Sequence, residues 1–162
     1  MYQIEVKAIL VESLFNPKDG WTVIVDLDAM EMAKGGTHPE GKAEVAAKAK
    51  QRLEKLGARI GADEEFGRAD LVARHASQGT YVVEVEGDTS RQREQAMYST
   101  LGQILLMIEG PSPATHYAIA LPDHPKWEHQ ASKIPAYVQE QLQLEVLLAS
   151  EGGVRRFPGR AE

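Results

Sequence analysis

The tightest constraint on the fold lies between Gly67 and Ile108. Two strand-like segments, Asp70–His75 and Tyr81–Glu86, are joined by the turn-rich Ala76-Ser77-Gln78-Gly79 and followed by a helical segment from about Ser90 to Ile108. Strand alternation puts Glu84 and Glu86 on one face, and Asp70 opens the preceding strand. The continuous apolar run Tyr81-Val82-Val83 is of the kind found in strands covered on both faces, and the acids stand where it stops. Asp70, Glu84 and Glu86 are therefore expected to meet at one end of a sheet as candidate site residues.

The helix after Glu86 carries Met97, Leu101, Ile104, Leu105 and Ile108 as its expected buried face. Gln92, Gln95, Ser99 and Gln103 form a polar stripe, from which Gln95 or Gln103 could point over the strand ends. Arg91 and Arg93 follow the acidic strand directly and could grip phosphate bidentately. Upstream, Val45, Ala49 and Leu53 with Ala46 and Leu56 mark a helix over Glu44–Leu56, closed by Gly57 as a C-cap. A short strand then starts at Arg59, so the order becomes helix, strand, strand, strand, helix.

On these residues the chain resembles the PD-(D/E)XK nuclease superfamily, over about residues 40 to 110. Its pattern is an Asp opening one strand, an E-x-K near the end of the next, and then a helix often carrying a Gln. Ala69-Asp70 looks like the first part and Glu84-Val85-Glu86 like the second, with Glu86 standing where the family usually has lysine. Some competent restriction enzymes of the superfamily also carry E-x-E.

The resemblance implies an α/β fold of one domain: a central mixed sheet with an αβββαβ restriction-endonuclease-like core, flanked by helices. It implies Mg²⁺ or Mn²⁺ held by Asp70, Glu84 and the Val85 carbonyl, with Glu44 as the matching helical acid. Glu86 would accept a proton from a bound water or hold a second metal, and nucleic acid would be the partner. The alternative is a degenerate member of the same fold, kept as a binding or scaffold protein.

The N-terminal segment leaves alternatives open. Ile4, Val6, Ala8 and Leu10 alternate as in a strand, while Ile4, Ala8, Val11 and Phe15 share a helical face. The turn Asn16–Gly20 before the β-branched Trp21–Val25 favours a hairpin over a helix followed by a strand. Either would be an addition preceding a core at about 40–121. Asp26-Leu27-Asp28 after an apolar run is similar to the opening motif of haloacid-dehalogenase-type phosphotransferases, but Met30 breaks the continuation and no later Ser/Thr and Lys motifs support it.

Beyond the helix, His116–Leu121 reads as a strand, Trp127–Gln141 as a helix interrupted at Pro135, and Leu142–Ala149 as a last strand. His124 and His129 lack any ligand spacing. The domain is expected over 1–157, with a mobile tail at 158–162.

Composition narrows the partners. With 43% hydrophobic and 26% charged residues the chain is ordinary globular protein, and the absence of cysteine removes disulfides and thiolate metal sites. No signal-like or membrane-length apolar run is present, so a cytoplasmic protein without membrane attachment is expected, and a homodimer stays open. A net charge of -6 argues against tight non-specific nucleic-acid binding.

Overall fold

The computed structural model describes residues 1–88 and 92–158. The elements are α1 (Gln3–Ser13), β1 (Thr22–Val25), α2 (Lys42–Leu56), β2 (Arg59–Ile60), β3 (Leu71–His75), β4 (Gly79–Val85), α3 (Arg93–Leu105), β5 (Thr115–Pro122), α4 (Pro125–Ala131), α5 (Ala136–Leu142), β6 (Leu144–Ser150) and β7 (Gly153–Phe157). The strands form one mixed sheet in the order β2-β1-β3-β4-β5-β6-β7. The α/β class expected from the sequence is what the chain adopts, with helices on both faces of the sheet.

Alternation along the strands divides the core. Val83 and Val85 of β4 join Val25, Leu71 and Leu147 beneath α1 and α2, whereas Val82 joins Val72, Ile119 and Val146 beneath α3 and α4. Both faces of β4 are covered, which is why its sequence is a run of apolar residues rather than an alternation. β3 pairs antiparallel with β4, and β4, β5 and β6 run parallel. The carboxyl ends of β4 and β5 therefore lie at the same end of the sheet, as the βα connection through α3 requires.

The first segment is a helix and not a hairpin. Ile4, Val6, Lys7, Ala8, Ile9, Leu10 and Val11 are all buried, because α1 is enclosed by the sheet on one side and by α2 on another. A helix buried on nearly every side has no single apolar stripe, so its period carries no signal. Its start is closed by Glu5, whose carboxylate accepts the Tyr2 N–H at 2.6 Å.

The N-terminal module is also not an addition to a later core. β1 lies inside the sheet, antiparallel to β3 and parallel to β2, while α2 and β2 are inserted between β1 and β3. The helix, three-strand meander, helix and parallel strand are thus α1, β1-β3-β4, α3 and β5. The helix read as the opening one, α2, still ends at Gly57 in the left-handed region (φ 97°), where a Cβ would be strained.

Two smaller expectations change. Val154–Phe157 forms part of β7, which pairs antiparallel with β6, so β6 is not the last strand. Helix α3 buries Ala96, Met97, Thr100 and Ile104 and ends at Leu105, which is exposed, while Ile108 lies beyond the helix. Among the described residues no helix is long and apolar enough to cross a membrane.

Candidate functional site

The site forms where β3 begins and β4 ends. The Val85 N–H donates to Asp70 Oδ2 at 2.9 Å, continuing the β3–β4 ladder through a side chain. Val85 thus meets Asp70 through its amide. The other Asp70 oxygen, Oδ1, accepts from Gln3 Nε2 at 3.1 Å and lies 3.1 Å from Lys7 Nζ. Both donors come from α1, whose first residues press on the loop after β4. A Cβ on Gly87 would sit 2.2 Å from the Gln3 nitrogen, so only glycine permits this approach.

Lys7 is wholly buried, with 0% of its side chain exposed. Its ammonium donates to the Asp26 carbonyl at 2.7 Å and to Glu31 Oε2 at 2.9 Å, and it lies 2.7 Å from Glu31 Oε1. Three residues, Asp26, Glu31 and Asp70, supply oxygens to the three hydrogens of the ammonium. Burial works to neutralise Lys7, but the Asp70 and Glu31 carboxylates outweigh it and hold its pKa above the ordinary lysine value.

Glu31 responds in the opposite sense to its pairing. Burial pushes its pKa up, with Lys7 pulling it down only in part. The geometry favours the ion pair: both oxygens contact the ammonium, and Oε2 also accepts the Asp28 N–H at 3.1 Å. Asp28 Oδ1 in turn accepts the Glu31 N–H at 2.8 Å, making a closed turn. The Asp-x-Asp segment therefore serves this turn and the Asp26 carbonyl, and Asp28 itself is exposed.

Glu84 is buried beside Asp70, and its Oε1 has no hydrogen-bond partner. Burial first, and then the negative charge of Asp70, push its pKa up to about 9. A pKa held that high keeps Glu84 protonated at neutral pH, next to the Asp70 carboxylate. Glu86 is also buried, but it turns to the neighbouring helix, where Thr100 Oγ1 donates to it at 2.6 Å.

The other residues singled out from the sequence lie as follows. Gln95 and Gln103 are exposed on α3, and Glu44 is exposed near the start of α2. Arg93 reaches Asp88 at 3.2 Å and lies over the Trp127 ring, while Arg91 falls outside the described residues. The sequence reading missed Gln3, Lys7, Glu31 and Thr100. A lysine set among Ile4, Val6, Ala8 and Ile9 was the one available signal, since a charge in an apolar helix demands a partner. Glu31 sits in an irregular segment with no period to mark it.

Among the described residues no three His, Cys, Asp or Glu side chains converge to hold a metal ion. The arrangement is one neutral acid, one carboxylate and one buried cation, aligned at a strand end and backed by a second carboxylate. No family model, curated protein or solved structure matches the chain.

Proposed function

We propose that this chain is a metal-dependent phosphodiesterase acting on nucleic acid, with Asp70 and Glu84 at its centre and Lys7 as the cation that the E-x-E motif lacks. The observation that carries the reading is the contact of the buried Lys7 ammonium with Asp70 at 3.1 Å, at the end of β4 where the buried Glu84 has an unpartnered Oε1. A buried acid kept protonated, near a lysine kept charged, is typical of sites that move protons.

Asp70 and Glu84 offer hard oxygen donors, the type that Mg²⁺ and Mn²⁺ prefer. The buried Glu84 Oε1 without a partner is the observation that fits such an ion, since a cation would satisfy it. A bound divalent ion would supply a water of lowered pKa and positive charge at the scissile phosphate. Glu84 must give up its proton to serve as a ligand, which ties ion affinity to pH.

Lys7 keeps a fixed positive charge at Asp70, oriented by Glu31 and the Asp26 carbonyl rather than by solvent. In that position it can polarise a water or stabilise charge that develops on a phosphate oxygen. Glu86, held by Thr100, is not required in that role.

A second reading has its own support. Lys7 satisfies Asp70 as a metal would, so the same network can serve a non-catalytic scaffold built around a buried ion pair. The deciding experiment incubates purified protein with labelled DNA and RNA in Mn²⁺. Cleavage that disappears in Asp70→Asn and Glu84→Gln, and survives in Asp28→Asn, supports the enzyme. Absence of cleavage on every substrate, or equal cleavage by all four proteins, removes it.

A further inference from the structure

Where the chain leaves β4 and β5 for α3 and α4, a cavity of about 430 Å³ opens between the starts of the two helices. Gln92, Arg93, Lys126, His129 and Gln130 line it. It lies at the end of the sheet where β4 finishes, next in sequence to Glu84.

The charge around this cavity is opposite in sign to that of the chain. Asp88 is shared between the Met1 ammonium at 2.9 Å and Arg93 at 3.2 Å, with Trp127 Nε1 donating at 3.1 Å. One carboxylate facing two cations leaves one positive charge over. Lys126 is in no ion pair among the described residues. The one acid in the lining, Glu94, is engaged by Lys133 at 3.4 Å and by the Tyr98 hydroxyl at 2.8 Å. A local basic excess thus persists within a net charge of -6.

Two lining side chains also hold buried atoms without partners, Arg93 Nε and Gln130 Oε1. Each can change its hydrogen bonding without giving up a bond at that atom. At the start of α3, Gln92 makes no side-chain cap, so the first N–H groups of that helix, which begins at the cavity, have no side-chain partner from it.

We propose that this cavity binds a phosphate of a single nucleic-acid strand whose neighbouring backbone lies at Asp70 and Glu84. The inference rests on the phosphodiesterase reading and adds its substrate class. A guanidinium, an ammonium and uncapped helix N–H groups form a matched set of donors for a phosphate, and the guanidinium can bind it bidentately. A cavity of about this size takes a group on the scale of one nucleotide and not a duplex.

The test measures binding of a short fluorescein-labelled oligothymidylate by anisotropy, at low salt and in EDTA, so that cleavage plays no part. Lys126→Gln removes an exposed, unpaired charge and spares the fold. Arg93→Gln serves as the second variant, with melting curves to check folding. Lys48→Gln, on the exposed face of α2, controls for net charge. The expected result is that wild type binds, that inorganic phosphate competes, and that Lys126→Gln weakens binding about tenfold with a salt slope shallower by about one.

Affinity unchanged in both Lys126→Gln and Arg93→Gln overturns the proposal, as does a wild type that binds neither oligonucleotide nor phosphate. The nuclease reading fails separately. A wild type that binds through Lys126 but never cleaves in Mn²⁺ leaves the cavity standing and removes the enzyme.

Discussion

Nζ of Lys7 lies 3.1 Å from Oδ1 of Asp70, joining the first helix of the chain to the residue that opens β3. With Glu31 on its other side, the ammonium is the only cation in contact with Asp70 among the described residues. This pairing decides both the stability and the chemistry expected of the strand end.

Replacing Lys7 by methionine keeps its length and leaves Glu31 and Asp70 without their cation. Breaking a buried pair from one side costs about 3–5 kcal/mol. Lys7→Met is expected to lose that much in urea titration, while the double variant Lys7→Met/Glu31→Gln recovers part of it. Additive losses would show that the two residues do not act as a pair.

Glu84 has a folded pKa raised to about 9. Its proton is held more tightly in the folded chain than in the unfolded one, so its contribution is complete below the ordinary carboxyl range and is lost as pH rises through about 9. Glu84→Gln, which cannot ionise, should gain melting temperature relative to wild type between pH 5 and pH 9. A difference that stays constant across that range would falsify the assignment.

Asp63 should show the opposite trend. Arg74 donates to both of its oxygens, at 2.6 and 2.9 Å, and holds its pKa down to about 2. Its stabilisation is present above the ordinary Asp value and is lost as pH falls through about 2. Asp63→Asn is expected to narrow the stability gap between pH 6 and pH 2, read from thermal melts.

A divalent ion that binds only the folded chain should stabilise it by about 2.7 kcal/mol at a hundredfold excess over Kd. We expect Mn²⁺ or Mg²⁺ to raise the melting temperature where NaCl of matched ionic strength does not. The shift should vanish in Glu84→Gln and shrink at lower pH, where the proton competes. An unchanged melt at millimolar Mn²⁺ would move the weight to the scaffold reading.

Gln95, Gln103 and Glu44 are exposed, and substitutions at such positions change stability by roughly 0.5 kcal/mol or less. Alanine at each is expected to leave both the melting curve and any cleavage unchanged. Loss of cleavage in Gln95→Ala with an intact melt would place substrate against that face of α3.

The sequence by itself determined the local elements whose signals are local. The Ala76–Gly79 turn, the doubly covered β4 and the Gly57 cap need only neighbours along the chain, and Asp70 and Glu84 became candidates because one opens a strand and the other stands where the apolar run of the next strand stops. Tertiary structure alone decided the rest. The period of α1 was silent because sheet and helix bury it on nearly all sides. The place of β1 depended on pairing with β3 across a long insertion, which no local pattern encodes. Lys7 and Glu31 became site residues because the fold carries them to Asp70. Glu44, Gln95 and Gln103 turned outward because the faces of their helices that pack on the sheet are set by Ala46, Ala49 and Leu53 in α2 and by Ala96, Met97, Thr100 and Ile104 in α3. Charge partners buried together are chosen by proximity in space, and sequence spacing records that only when both partners share one element.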